Sequence, residues 1–322
     1  MSAATLLLFP LRVVLRIVPA SVAVAFFRRA RSIFSVKLNR WLEDHLFPEF
    51  LKGRTETLAL PRITVPIPIE RKMNIRVGDE SQRFYWIGDY DEVGAYVLRH
   101  LRAEDLFIDI GANCGFVTLL ASSVVLADRL WCFEPNPETF RELQANLAVN
   151  ELPAHARNLG LSDVAGRARL FVPDGACGGS SIEAQNYRRR DLLPGEEMPA
   201  RFHEVELVQF DEFWARHRAQ LTPAAGGAVV VKIDAEGHEA KILIGMQSFL
   251  AENRDRITLL IEVYESEYDA ITAALWGHGL TPGVILPDGT PGATDRPEKK
   301  RFKNYCFRGA SQRHVASAPV GV

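Results

Sequence analysis

The stretch Asp109-Ile110-Gly111-Ala112-Asn113-Cys114-Gly115 lies where a short apolar run, Leu106–Ile110, gives way to a helical pattern over Gly115–Leu126. An apolar run of that length is what a parallel strand buried on both faces requires. Glycines at its end let the backbone turn sharply and let a ligand approach closely. A dinucleotide site would ask for G-x-G-x-x-G at this place. Here Asn113 stands at the second glycine position and Phe116 follows Gly115, which opposes an NAD-dependent oxidoreductase. No Gly-Lys-Ser/Thr follows, so a P-loop is also excluded. An acid followed by two spaced glycines suits a cationic, phosphate-free nucleoside cofactor better than a pyrophosphate. Taken alone, the loop also fits a tight strand–helix turn with no ligand.

Working outward, strands and helices alternate. Leu130–Phe133 reads as a second strand and Pro137–Asn150 as a second helix, with Pro137 suited to its first turn. Ala156–Leu161 follows as a third strand. An interruption rich in Gly and Arg, roughly 164–203, contains a small strand around Ala168–Val172. Then come a strand at Ala228–Ile233, a helix at His238–Leu250, a strand at Ile257–Val263 and a helix at Glu267–His278. Thr281–Leu286 and Asn304–Arg308 suit a closing antiparallel pair. Upstream, Glu92–Leu101 reads as a helix, and Met73–Val77 with Arg83–Ile87 as a hairpin about Val77-Gly78-Asp79-Glu80. Residues 30–60 read as helix broken near Pro48 and Gly53, and Pro61, Pro66 and Pro68 confine the next stretch to edges or loops. The alternation predicts an α/β fold, a parallel sheet with helices on both faces. Right-handed crossovers place every strand-to-helix loop at one edge of such a sheet, where ligands bind. The loops after Ile110, Phe133, Leu161, Ile233 and Val263 should therefore converge on one site.

Those loops carry chemistry. Glu134 ends the second strand 25 residues after Asp109, near the spacing at which an acid reaches ribose hydroxyls in Rossmann-like folds. It also suits the N-terminal dipole of the next helix. Asp163, in Leu161-Ser162-Asp163, could accept from an adenine amino group or simply form a turn before Gly166. Lys232-Ile-Asp234-Ala-Glu236-Gly237-His238-Glu239 puts three acids and a histidine at the same edge. Charged groups there are costly unless paired or used. Asp234 and His238 are the general-base candidates, while Glu239 suits a helix N-terminus. Glu262 and Glu265, flanking Tyr264, either line an acceptor pocket or lie on the surface. No second histidine supports a transition-metal site, so no metal is assigned.

The composition is that of an ordinary globular chain. Its 322 residues are 47% hydrophobic and 24% charged, with a formal net charge of -2, so no basic field points to nucleic acid. Cys114, Cys132, Cys177 and Cys306 lie far apart without a CxxC pair, as in a reduced, cytoplasmic protein. The first forty residues differ. Leu6–Phe27 is apolar, but Arg12, Arg16 and Pro19 interrupt it, and no acid precedes Glu43. It falls short of a spanning helix and makes a poor secretory signal. Three readings stay open: a helix packed on the protein or on a second subunit, peripheral contact of residues 5–31 with an anionic inner membrane face, and a targeting or disordered segment.

The ordered set Asp109–Gly115, Phe133-Glu134-Pro135-Asn136, Leu161-Ser162-Asp163, Gly179-Ser180-Ser181-Ile182 and Lys232–Glu239 resembles the FkbM-type methyltransferases, a branch of the class I S-adenosylmethionine-dependent enzymes. The resemblance covers roughly Asp105 to Glu265. It implies a Rossmann-like, mostly parallel seven-stranded sheet with the last strand antiparallel, and O-methylation of a hydroxyl on a sugar, glycolipid or polyketide-like acceptor. Carried over by position, Asp109, Gly111, Asn113 and Gly115 hold the methionine part of S-adenosylmethionine, Glu134 the ribose and Asp163 the adenine. Asp234 and its neighbours then face the methyl group. The implied organisation is an apolar basic segment at 1–42, a helical and hairpin extension at 43–104, the methyltransferase domain at 105–310 and a flexible tail at 311–322. A methyltransferase-like binding module without catalysis is the competing reading, opposed by the intact Gly111, Gly115, Glu134 and Asp234.

Overall fold

The computed structural model describes residues 62–67, 71–76, 79, 81, 82, 85, 92–173, 177–183, 201–294, 296, 297 and 302–309. The expectations for residues 1–61, including membrane contact through 5–31, and for the tail at 311–322 lie outside them. The chain divides into two compact units, Met1–Asp89 and Tyr90–Val322.

In the first unit, β1 (Arg62–Ile67) and β2 (Arg71–Arg76) pair antiparallel, with Arg62 opposite Arg76 and Ile67 opposite Arg71. Here Met73 pairs with Val65 of the preceding strand, and the expected partner strand at 83–87 lies mostly outside the described residues. A two-stranded ribbon is all edge, and an edge admits Pro66 despite its missing donor.

The second unit opens with α1 (Glu92–His100), followed by β3 (Leu106–Ile110), α2 (Phe116–Ala121), β4 (Leu130–Phe133), α3 (Pro137–Val149) and β5 (His155–Arg157). Next come β6 (Gly160–Leu161), β7 (Gly166–Val172), β8 (Arg201–Val208) and α4 (Phe210–His217). Then follow β9 (Val229–Ile233), α5 (Glu239–Ile244), α6 (Gln247–Asn253) and β10 (Ile257–Tyr264). The described elements close with α7 (Tyr268–Trp276), β11 (Leu280–Val284) and β12 (Phe302–Gly309).

Seven strands form one sheet in the order β11-β12-β10-β9-β3-β4-β5. Neighbours from β10 to β5 run parallel, and β12 runs antiparallel to both β10 and β11. This is the expected Rossmann-like, mostly parallel seven-stranded sheet with its last strand reversed. Side chains alternate across it as a pleated strand requires. Leu106, Ile108 and Ile110 join Trp131, Phe133, Phe210 and Phe249 in one core, while Cys132 packs with Leu143 and Leu147 of α3 on the opposite face. No described helix is long and apolar enough to cross a membrane. All four cysteines are free and buried.

Four local expectations are corrected. The third strand splits, because the Asn158 side-chain amide takes the carbonyls of Glu134 (2.7 Å) and Pro135 (3.0 Å). The chain then leaves the main sheet, and β6 joins a separate sheet of order β6-β8-β7. The helix after β3 ends at Ala121, where the Ser122 and Ser123 hydroxyls donate to the carbonyls of Leu119 and Leu120 (2.7 Å each). The helix expected over His238–Leu250 is two helices broken at Gly245 and Met246. A Cβ at Gly245 would lie 2.0 Å from the Ser162 carbonyl oxygen, and Asp211 accepts the amides of Ser248 (2.8 Å) and Phe249 (2.9 Å) to start α6 anew. Finally, β8 and α4 occupy sequence that the periodicity left unassigned.

Candidate active site

The strand order reverses between β3 and β9, and the crevice outside their carboxyl ends is where doubly wound sheets bind ligands. The two loops touch there. Gly111 adopts φ +71°, and a Cβ on it would sit 1.8 Å from the Asp234 carbonyl oxygen, so only glycine fits. The Asp234 amide donates to the Ile110 carbonyl (3.2 Å). Lys232, on β9, binds the arrangement from beneath. Its ammonium donates to the Gly111 carbonyl (2.7 Å) and lies 3.3 Å from Asp109 and 3.5 Å from Asp234. Asp109 is fully buried and also accepts from the Thr118 hydroxyl (2.7 Å). It therefore acts on the loop through Lys232 and α2 rather than from its open side.

The rest of the loop leans on Glu134. Asn113, at φ +52°, donates its amide to Glu134 Oε2 (2.8 Å), and Asn136 donates its amide to Oε1 (2.8 Å). Burial pushes the Glu134 carboxyl up to about 7, against the pull of those two amides and of Lys232. Asn136 also caps α3 by accepting from the Glu138 amide (3.0 Å), with Pro137 in the first turn as expected. Gly115, at φ +91°, faces Leu143 of α3, 2.6 Å from where its Cβ would lie.

The loop after β9 is held from several sides. Glu236 is a non-glycine residue at φ +53°, an outlier for a bulky side chain. Ser181 donates to its carbonyl (2.8 Å) and Tyr264 donates to its Oε2 (2.8 Å). Glu239 is fully buried, and its Oε1 accepts the amides of Ala235 (2.7 Å) and Gly237 (3.2 Å). Its Oε2 and that of Glu267 are both buried without a hydrogen-bond donor, and burial raises both carboxyls from their ordinary values. Burial and the adjacent Glu267 hold Glu239 well above the ordinary carboxylate range. Glu239 does stand in the first turn of α5, but its buried carboxyl holds the turn before the helix instead of serving as a charge at the helix start. Asp234, Glu236 and Glu262 bring carboxylate oxygens within 4.8 Å of one another at the mouth of the crevice, and all three are half-buried.

Residues 109–279 match the family described as the methyltransferase FkbM domain, more than half of the chain. The chain belongs to the FkbM methyltransferase family. It is 26% identical over 206 residues to the 31-O-demethyl-FK506 methyltransferase FkbM of Streptomyces tacrolimicus, covering 57% of this chain and 76% of that one. It is 23% identical over 203 residues to the hexuronic acid methyltransferase AglP of Haloferax volcanii, covering 63% and 75%. Among solved structures, the FkbM methyltransferase of Methylobacillus flagellatus is 14% identical with a TM-score of 0.41. That match covers 69% of this chain and about half, 52%, of the other. Membership of that family makes the protein a methyltransferase.

Within this FkbM domain the residues singled out from sequence fall into two linked groups. Gly111, Asn113, Glu134 and Asp234 meet directly around the crevice, with Asp109 below them. Asp163 and His238 meet through Ser162. The Ser162 hydroxyl lies 2.9 Å from Asp163 Oδ1 and 3.0 Å from His238 Nε2, while His238 Nδ1 lies 2.9 Å from Glu183. His238 is only 3% exposed, and burial lowers it from its ordinary value despite Glu183. Both ring nitrogens face protein side chains in this buried position. Asp234, 39% exposed, keeps an open side. Sequence reasoning assigned no role to Lys232, Ser162 or Glu183. A lysine inside the otherwise apolar Val229–Ile233 was the available signal, because such an ammonium must be paired. Glu183 directly follows Gly179-Ser180-Ser181-Ile182, and nothing in the sequence tied it to a histidine 55 residues away.

Proposed function

We propose that this methyltransferase uses S-adenosylmethionine and methylates a hydroxyl on a sugar, glycolipid or polyketide-like acceptor. The crevice between β3 and β9 carries the reading, with Gly111 against Asp234 and Glu134 beside them. The donor set suits a nucleoside. Each Glu134 oxygen accepts one backbone amide and retains a lone pair for a ribose hydroxyl. Asp163 is half-buried with acceptor capacity for an adenine amino group. The left-handed turn from Gly111 to Gly115 presents backbone to the methionine part. The proposed domain spans 105–310, with 43–104 as an extension. The relatives' names, an O-demethyl-FK506 and a hexuronic acid methyltransferase, support an acceptor of this class.

When bound, the cofactor supplies a methyl group already activated for in-line displacement. The protein's work is then alignment and the removal of one proton from the acceptor hydroxyl. Asp234 is the proposed base, half-exposed beside Gly111 with Lys232 offsetting its charge. His238, the other candidate, serves the adenine side instead. A positioned base contributes roughly 10²–10⁴-fold. Asp234→Asn at saturating cofactor should lower methyl transfer by that order while S-adenosylhomocysteine still binds. Unchanged turnover would refute the assignment. A silent calorimetric titration of the wild type with S-adenosylmethionine would refute the cofactor itself. Mass spectrometry of glycan and lipid extracts incubated with isotopically labelled S-adenosylmethionine identifies the acceptor.

A further inference from the structure

Three contacts in a row join Glu183 to Asp163: Glu183 Oε1 to His238 Nδ1 (2.9 Å), His238 Nε2 to Ser162 Oγ (3.0 Å), and Ser162 Oγ to Asp163 Oδ1 (2.9 Å). Each contact needs one proton. A neutral imidazole brings one and the serine hydroxyl another, so two protons serve three contacts. Burial favours the neutral ring, the charged groups around it being Glu183, Lys241 and Asp163. Glu183 settles where the ring proton sits. Burial raises its carboxyl, but the Lys241 ammonium, donating to the same oxygen at 2.8 Å, and His238 together hold it below its ordinary value. It is therefore an ionised acceptor, and an ionised acceptor demands the proton on Nδ1. Nε2 is left bare. The single Ser162 proton then faces two acceptors, His238 Nε2 and Asp163 Oδ1.

We infer that Glu183 is a positioning residue for recognition of the adenine amino group: by fixing the His238 proton on Nδ1, it lets Ser162 turn from Asp163 to His238 when the amino group arrives at Asp163. This rests on the S-adenosylmethionine reading above. The exchange leaves no buried polar group unmatched, which is what makes it inexpensive. Without an acceptor at Nδ1 the ring proton moves to Nε2, where Ser162 must accept it. The Ser162 proton is then confined to Asp163 Oδ1, which keeps a lone pair but becomes a weaker acceptor for the adenine amino group.

The test compares binding of S-adenosylhomocysteine with S-inosylhomocysteine, in which a carbonyl replaces the 6-amino group, by calorimetry on the full chain. The wild type should prefer the adenosyl compound. Glu183→Met should reduce that preference by about tenfold, as for one hydrogen bond to a charged acceptor. Adding Ser162→Ala to Glu183→Met should restore it, because the proton that weakens Asp163 as an acceptor is gone. A merely structural role for Glu183 predicts no such rescue. Preference unchanged in Glu183→Met, or not restored in the double variant, would overturn the inference. Nitrogen-15 ring correlations of wild-type His238 give a test that needs no variant: a proton on Nε2 instead of Nδ1 would overturn it equally. A wild type that binds both compounds alike overturns the inference and leaves the cofactor reading standing, whereas one that binds neither refutes both.

Discussion

Lowering the pH should weaken nucleoside binding through a single carboxyl, Glu134. The group is 7% exposed, and burial places its titration at about 7 in the free protein. Both of its oxygens already accept one backbone amide, so ribose hydroxyls need the lone pairs that ionisation provides. Binding then favours the ionised form, and the apparent affinity scales with the ionised fraction. That fraction is about one in eleven at pH 6 and about ten in eleven at pH 8, so affinity should rise about tenfold across the interval. Titration calorimetry with S-adenosylhomocysteine at fixed ionic strength reads this directly and removes the sulfonium charge from the comparison. Glu134→Gln should bind more weakly and lose the slope between pH 6 and 8. A flat profile in the wild type, or an equal slope in Glu134→Gln, would show that Glu134 does not meet the ligand in its ionised form.

Three further outcomes follow from the same site. In the free protein, the raised Glu134 carboxyl contributes stability that is complete below about pH 4.5 and is lost as pH rises through about 7, on the order of 3 kcal/mol. Glu239 acts with the same sign and the lowered His238 with the opposite one, so the test is the difference between variants. The loss of urea midpoint from pH 5 to pH 8 should be smaller in Glu134→Gln than in the wild type, and an equal change in both would contradict the Glu134 shift. Gly111→Ala places a Cβ 1.8 Å from the Asp234 carbonyl in a left-handed residue. It should cost more than the roughly 1–2 kcal/mol of the backbone conformation alone and abolish nucleoside binding, measured by denaturation and calorimetry. Lys232→Met leaves Asp109 buried without its cation and should destabilise the fold by about 3–5 kcal/mol in urea; a loss below about 1 kcal/mol would mean that the pair does not hold the loops together.

The main sheet was largely legible in sequence because its central strands are buried on both faces. Leu106–Ile110, Leu130–Phe133 and Val229–Ile233 are unbroken apolar runs apart from Asp109 and Lys232, and each is a strand where expected. The losses came where side chains rather than periodicity decide. Asn158 diverts the third strand by capturing two carbonyls, and Asp211 restarts a helix from another element. Phe210, Phe213 and Trp214 carry an i, i+3, i+4 pattern that marks α4, but its short length hid it between two loops. In the site, the glycines and Glu134 could be read from spacing. The Glu183–His238–Ser162 chain could not, since three distant segments meet there and no local pattern encodes the meeting.

The buried pair of Asp109 and Lys232 explains why the loop motif takes the form it does. Asp109 and Lys232 lie on neighbouring parallel strands in register, Asp109 opposite Lys232. Neither charge would be tolerated alone at that depth. Together they place an ammonium directly under the Gly111 carbonyl, and that ammonium reaches Asp234 at the same time. On the reading proposed above, the acid that opens the glycine loop sets the distance between that loop and Asp234 from beneath, through Lys232. Replacing Asp109 by asparagine preserves its shape and its bond from Thr118 while removing the charge that anchors Lys232. Lys232 would then keep the Gly111 carbonyl and turn its charge toward Asp234, drawing that carboxylate toward the sheet. Such a variant should retain S-adenosylhomocysteine binding better than it retains turnover. The converse result, intact turnover with lost binding, would place Asp109 on the ligand side of the loop instead.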